Sequence, residues 1–342
     1  MSNMMHIILY AIVPIIVVML LGYISGKRGI FTTKDGKAFN KVVLDYALPA
    51  ALFVSIIGAD RQMLVEDIKL TLISLAVIMA CFMGVYFIYA KCFKKNTGAE
   101  GAIMALVNGS PTIGFLGFAV LEPIFGYNAS VALVVAIVGI VVNAVGIPVG
   151  LTLLNAAQDK KAALQTTGGG KATVAGGGKA SARRDDGWKA VINALKQPVA
   201  WAPILAVIWV ICGIPWPAYL SPSFDLIKGA NASMAVFAAG ITLSAYKITI
   251  NWPAILGCIV KMIMMPALLL IVGLIFHMKE ANLAMMVMAG ALPPAFSGII
   301  IADEYDTYVA ESTSSLALSV ITFIGFCPFW IWMTQLCYSH FM

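Results

Sequence analysis

Residues 108–117 read Asn-Gly-Ser-Pro-Thr-Ile-Gly-Phe-Leu-Gly, and residues 290–297 read Gly-Ala-Leu-Pro-Pro-Ala-Phe-Ser. Each stretch interrupts a membrane-length apolar segment near its middle. Pro111 and Pro294 lie 183 positions apart, so each half of a roughly duplicated chain breaks one helix at a matching place. A Pro inside a helix removes a backbone hydrogen bond and costs about 3 kcal/mol in water. In hydrocarbon the freed carbonyls must be satisfied by protein or by cavity water. Two interruptions at corresponding places are the pattern that marks a substrate site in secondary transporters. The alternative is a pair of ordinary kinks with glycines for helix packing; their matched positions favour a site.

The surroundings are those of a membrane protein. The 342 residues are 61% hydrophobic and 11% charged, against about 25% charged in a soluble domain, and mean hydropathy is +0.93. Six cysteines (Cys81, Cys92, Cys212, Cys258, Cys327, Cys337) are scattered through apolar runs with no CxxC or Cys/His cluster. Buried thiols are expected, with no disulfide framework, metal or cofactor. His6, His277 and His340 are far apart and lack the partners that catalysis or metal binding needs. The N-terminus has no basic region ahead of its first apolar run, so that run is read as a retained helix, not a cleaved signal.

With about 20 apolar residues per span, ten spans emerge, near 6–26, 39–58, 67–90, 100–125, 129–154, 199–214, 222–245, 252–276, 281–302 and 309–338. The sixth run is short and Pro-rich, and its helix is allowed to begin earlier, near Trp188. Lys and Arg concentrate in the loops after spans one, three and five, including Lys27, Arg28, Lys34, Lys37, Lys91, Lys94 and Lys95. That bias places those loops in the cytoplasm and both termini outside the inner (plasma) membrane. The acidic loop at Asp303, Glu304 and Asp306 counts little in this rule.

Residues 156–187 contain Gly168-Gly169-Gly170 and Gly176-Gly177-Gly178 among Ala, Lys and Thr. They read as a flexible basic tether between residues 1–155 and 188–342. Their charge suits topology and anionic lipid head groups, not nucleic acid. The two halves echo each other: Val13-Pro14-Ile15-Ile16 answers Ala202-Pro203-Ile204-Leu205, and the Pro-to-break distances are 97 and 91 residues. Five spans per half is an odd number, so the second half enters the membrane from the opposite side. The fold class expected is therefore an all-α polytopic membrane protein of ten helices in two inverted five-helix repeats.

Helix direction adds a charge preference. The half-helices after the breaks begin near Thr112 and Ala295, so two helix N-termini face the midplane. Each carries roughly half a positive charge and several free N–H groups, which together suit an anion, a carboxylate above all. The candidate substrate residues are Asn108, Gly109, Ser110, Pro111 and Thr112, and Pro293, Pro294, Ala295, Phe296 and Ser297. Lys261, about 14 Å into the eighth span, either supplies a full positive charge or bonds the orphan carbonyls of a broken helix. Ionisable residues within spans are functional candidates: Asp45, Glu122 and Glu311 are held as coupling or gate residues. Asp225 and Lys228 are expected to pair with each other. Asn143 and Ser312–Ser314 either line the cavity or bond across helices. Gly22-x-x-x-Gly26 and Gly146-x-x-x-Gly150 read as packing faces.

Several of these stretches resemble the auxin efflux carrier family. They are Leu20-Leu21-Gly22-Tyr23, Tyr46-Ala47-Leu48-Pro49-Ala50-Ala51-Leu52-Phe53, the break at Ser110-Pro111, and the second break followed by Ala302-Asp303-Glu304-Tyr305. Residues 109–123 and 289–302 look most like its bacterial YfdV-type transporters. The resemblance implies that the broken helices 4 and 9 cross, that scaffold and transport domains separate, and that access alternates by an elevator motion. It implies a small organic anion as substrate, a mono- or dicarboxylate such as oxalate, malonate or malate. Plant members carry an Asn after the first break's Pro, where this chain has Thr112, which argues against auxin. A proton or sodium ion is the candidate coupling ion, with proton coupling or anion exchange preferred because no oxygen cluster suits sodium. A second copy of the chain is a candidate partner. The alternative transporter is a sodium-coupled bile-acid-type symporter. A membrane receptor or intramembrane enzyme would need an effector domain or a catalytic constellation, and the sequence offers neither.

Overall fold

The structure is a computed structural model, described for residue 9 and residues 12–58, 68–92, 98–167, 198–246 and 249–341. It is almost wholly helical, with no strand among the described residues. In chain order the helices are α1 (Val13–Lys27), α2 (Thr33–Ile57), α3 (Ile68–Cys92), α4a (Ala99–Asn108) and α4b (Ile113–Phe125). Next come α5 (Ala129–Ile140, Val141–Gly146 and Ile147–Thr167), α6 (Pro198–Cys212), α7 (Ser221–Ala245) and α8 (Trp252–Ile275). The chain closes with α9a (Glu280–Ala291), α9b (Phe296–Glu304) and α10 (Val309–Phe341). Six of them, α2, α3, α5, α7, α8 and α10, are long and apolar enough to cross a membrane.

Three helices widen into a π turn: α2 at Val43–Ala47, α5 at Val141–Gly146 and α8 at Val260–Met264. Each is followed within two residues by a proline (Pro49, Pro148 and Pro266). A proline cannot donate to the residue four before it and crowds that carbonyl, and a wider turn relieves the clash. At Pro266 the carbonyl left over is that of Met262, which accepts from the Trp330 indole N–H of α10 at 2.8 Å.

Helix pairing divides the elements. α1 packs most extensively on α7, α6 packs on α2, and α2 packs on α7. A second set links α3 with α4a, α4a with α5, α8 with α9a, and α10 with both α8 and α9a. Contacts of α7 with α4b and of α2 with α5 join the two sets. The α1–α7 seam works through glycines: a Cβ on Gly22 would strike Phe237 O, and one on Gly240 would strike Met19 O. Gly26 faces Ser244, and Gly150 seats Leu106 of α4a, so the two small-residue motifs are packing faces as read.

Two expectations need correction. The fifth helix runs on to Thr167, so the first twelve residues of the expected 156–187 tether are helical; Ala, Leu and Lys there are strong helix formers. Residues 168–197, with the triple glycines and Trp188, lie outside the described residues, as do His6, Arg61, Lys94 and Lys95. The second correction concerns Lys228. It does not pair with Asp225 but reaches Glu122 at 3.3 Å, because α7 packs α4b against that face and leaves Asp225 exposed.

Candidate functional site

The two broken helices meet at their breaks. Pro111 and Pro294 face each other as an isolated antiparallel bridge. The Thr112 N–H donates to Pro293 O at 3.0 Å, and the Ala295 N–H is shared between Val107 O and Ser110 O, each at 3.1 Å. The prolines free carbonyls in both broken helices, and each extended segment supplies an N–H to the other. That exchange answers the demand that no backbone group be left unsatisfied in an apolar interior. Gly298 allows the approach, since a Cβ there would lie 2.7 Å from Val107 Cγ2, while Gly109 lets the first break pack on α3, where a Cβ would lie 2.7 Å from Phe82 Cα.

The helix starts differ by position. α5 and α8, which begin in loops, are capped by Asn128 and Asn251, whose side chains accept from Val131 N and Ala254 N at 3.0 Å. α4b and α9b begin at Thr112 and Ala295 with no side-chain cap. The Phe115 and Gly298 N–H groups turn back to Thr112 O and Ala295 O at 3.3 and 3.2 Å, while Ile113, Gly114, Phe296 and Ser297, at helix starts where N–H groups lack the usual intrahelical partner, line a cavity of about 80 Å³. Thr112, Ser297, Asn40 and Asn143 supply its polar wall, and Phe115, Phe296, Leu44 and Ile300 its apolar one. Phe115 and Phe296 meet edge to face at 5.9 Å. The Thr112 hydroxyl is buried and has no hydrogen-bond partner. Among the described residues, no ionisable side chain lines this cavity.

Of the residues singled out in the sequence, Pro111, Thr112, Ala295, Phe296 and Ser297 line the cavity. Asn108, Gly109, Ser110, Pro293 and Pro294 stand outside its wall, and Ser110, Pro293 and Pro294 help to build the bridge. Asn108 is fully buried, accepting from Ser315 Oγ at 2.7 Å, and its Nδ2 is unpartnered against Gly257. Lys261 is also fully buried but lies outside the cavity wall. Its ammonium donates to Gly290 O at 2.8 Å and contacts Met265 Sδ at 3.1 Å. Gly290 is in the last turn of α9a, where the helix dipole is negative, so Lys261 caps a broken helix from behind. Asp45 is half-buried on the α2 π turn beside Leu44, away from the cavity wall. Glu311 accepts from Asn251 Nδ2 at 3.4 Å, and Ser314 accepts from Thr249 N at 2.8 Å. Both therefore join α10 to the start of α8.

Asn143 takes the lining role allowed for it, while donating to Gly139 O at 2.9 Å. Asn40 was not anticipated. In the sequence Lys37 reads as a loop residue ahead of the span at 39–58, whereas the helix begins at Thr33 and turns Asn40 inward to 8% exposure. A lone amide at the mouth of a span was the available signal.

A family model described as membrane transport protein matches residues 7–331. A protein of Escherichia coli K12 described as uncharacterized transporter YfdV is 48% identical over 327 residues, 95% of this chain and 97% of its own length. An uncharacterized transporter of Methanothermobacter thermautotrophicus is 22% identical over 324 residues, 93% of this chain and 96% of its own. A protein of Oryza sativa described as probable auxin efflux carrier component 9 is 24% identical over 145 residues, 39% of this chain and 33% of its own.

Proposed function

The chain belongs to the membrane transport protein family that includes auxin efflux carriers, and we propose that this multi-pass transporter is a secondary carrier of a small organic anion. It is a transporter and not an enzyme. The observation that carries the anion reading is the pair of uncapped half-helix N-termini opening on one cavity. Two ends of roughly half a charge each sum to about one positive charge, with the Thr112 hydroxyl and the Asn40 and Asn143 amides to orient a carboxylate. At about 80 Å³ the cavity favours short acids such as oxalate, malonate or malate over a bile acid.

In this reading the ten spans form two inverted five-helix repeats whose broken members, α4 and α9, cross at Pro111 and Pro294. The α1, α2, α6 and α7 set is the scaffold. The set built on α3, α4, α5, α8, α9 and α10 carries the substrate past it in an elevator motion, with both termini outside the inner membrane. Lys261 acts indirectly, by holding the end of α9a.

The test is uptake into proteoliposomes, with thermal shift in parallel, over oxalate, formate, malonate, malate, lactate and indole-acetate, each with and without a sodium gradient. Short carboxylates should enter and raise the melting temperature, without need of sodium. Stabilisation by amines or neutral sugars alone would sink the anion reading, and strict sodium dependence would favour the bile-acid-type alternative.

A further inference from the structure

A second cavity, about 380 Å³, lies where α2, α4b and α7 meet. Its wall carries Glu122, Lys228, Asp225, Tyr127 and Asn231 over the ring of Phe118. Lys228 is the single cation on it among the described residues. The ammonium lies 3.3 Å from Glu122 Oε1, donates to Ser55 Oγ at 3.1 Å and sits 5.9 Å from the centre of the Phe118 ring. Asn231 is 2% exposed, yet neither its amide nitrogen nor its oxygen has a hydrogen-bond partner. A buried amide with both atoms unpaired is costly, and this one lines a space large enough for a guest. Phe115, Phe118 and Glu122 follow one another at i, i+3 and i+7 on α4b, so a single helix face runs from the cavity at the breaks to this one.

We propose that this cavity is a second carboxylate-binding station, in which the guest takes Lys228 from Glu122 and Glu122 takes up a proton. The carboxylate would rest on the Lys228 ammonium and the Asn231 amide N–H. The inference rests on the carrier reading above for the identity of its guest. The coupling follows from charge. One ammonium can neutralise one carboxylate, and a displaced Glu122, 12% exposed beside Phe118, would be left as an uncompensated charge in apolar surroundings, which is strongly unfavourable. Protonation from the water of the open cavity removes that charge. The titratable groups facing Glu122 are Lys228 and Asp225 on α7 and Tyr127 after α4b. α1 and α2 contribute only Pro14, Ile15, Val18 and Ala51 to the adjoining walls, and α5 and α9a contribute no residue to them. Carboxylate entry by this route carries a proton, and low pH favours it.

The test is uptake of labelled oxalate, malonate, malate and lactate, run in parallel at equal pH on both faces, by the wild type and by Glu122→Gln, Lys228→Gln and Lys228→Arg. For the acid carried, the wild-type KM should fall about tenfold from about pH 7.5 to about pH 5.5, as the competing carboxylate is neutralised. Glu122→Gln should hold KM low at both pH values. Lys228→Gln should raise it about tenfold or more, the loss of one charge-assisted contact, and Lys228→Arg should restore most of it. Opposite KM shifts in the two Gln variants are the signature of competition. A pair that merely clamps α4b to α7 would lower both melting temperatures and leave KM unmoved or shifted the same way, and that result overturns the proposal while leaving the carrier reading intact. Failure of the wild type to take up any of the four acids overturns the carrier reading itself, and this guest with it.

Discussion

Thr112 sits 3% exposed at the head of α4b with a hydroxyl that finds no hydrogen-bond partner among the described residues. An unpaired buried hydroxyl costs about 1–3 kcal/mol, a cost that persists only where something else gains by it. Thr112→Val keeps the shape and removes the hydroxyl. If the group serves a guest, the variant should melt at the same or a higher temperature without ligand, yet lose about tenfold in carboxylate affinity. Thermal shift titration with the transported acid reads both quantities, and an unchanged affinity would remove Thr112 from the site. Lys261 makes the contrast. It drew attention in the sequence as a charge deep in a span, and its depth is real, but its partner is the Gly290 carbonyl. A charge in an apolar run has to find a partner; which one it finds is a matter of neighbouring helices.

At the scale of elements, proline does most of the shaping. It widens α2, α5 and α8 into π turns and it ends α4a and α9a outright. In the π turns the next element can absorb the loss, as Trp330 does at Met262 O. At the breaks the two extended segments absorb each other's loss, which is why they are found together. This leaves the first turns of α4b and α9b lining a cavity without the Asn caps that α5 and α8 carry. The seam of α1 on α7 follows a different rule, backbone against backbone. Gly240→Ala would drive a methyl into Met19 O, a main-chain atom that cannot swing aside. The expected cost is about 1–3 kcal/mol of overpacking, seen as a lower melting temperature in detergent, whereas the same change at Gly84, whose Cβ would meet nothing within 4 Å, should be near neutral.

For the whole molecule, the proposed elevator motion requires the two packed sets of helices to slide. Ala119 on α4b and Ala232 on α7 line one cavity of about 310 Å³ from opposite sets. Cysteines at both positions, in a background without the six native ones, should allow a short bifunctional maleimide to stop carboxylate uptake, with each single cysteine still active. Undiminished uptake by the cross-linked protein would rule out sliding at this seam. The Glu122–Lys228 pair spans the same seam, so its exchange with substrate would loosen the sets at the moment of loading.

The sequence by itself determined the membrane-protein class, the helical segments to within a few residues at most ends, the place of both breaks and the direction of the half-helices after them. These are local matters, set by apolar run length and by proline's missing N–H. The tertiary structure decided what the breaks do with one another, that Lys261 stands behind the cavity, that Asn40 enters it, and that Lys228 meets Glu122 and not its near neighbour Asp225. Those outcomes depend on which helix face meets which, over separations of 106 residues in the case of Glu122 and Lys228, and no local pattern carries that information. The same limit hid the second cavity. Glu122 stands out in the sequence as a charge within a span and Lys228 as a partner for Asp225, but only the packing of α7 on α4b brings a cation, its competing carboxylate and the Asn231 amide to one wall.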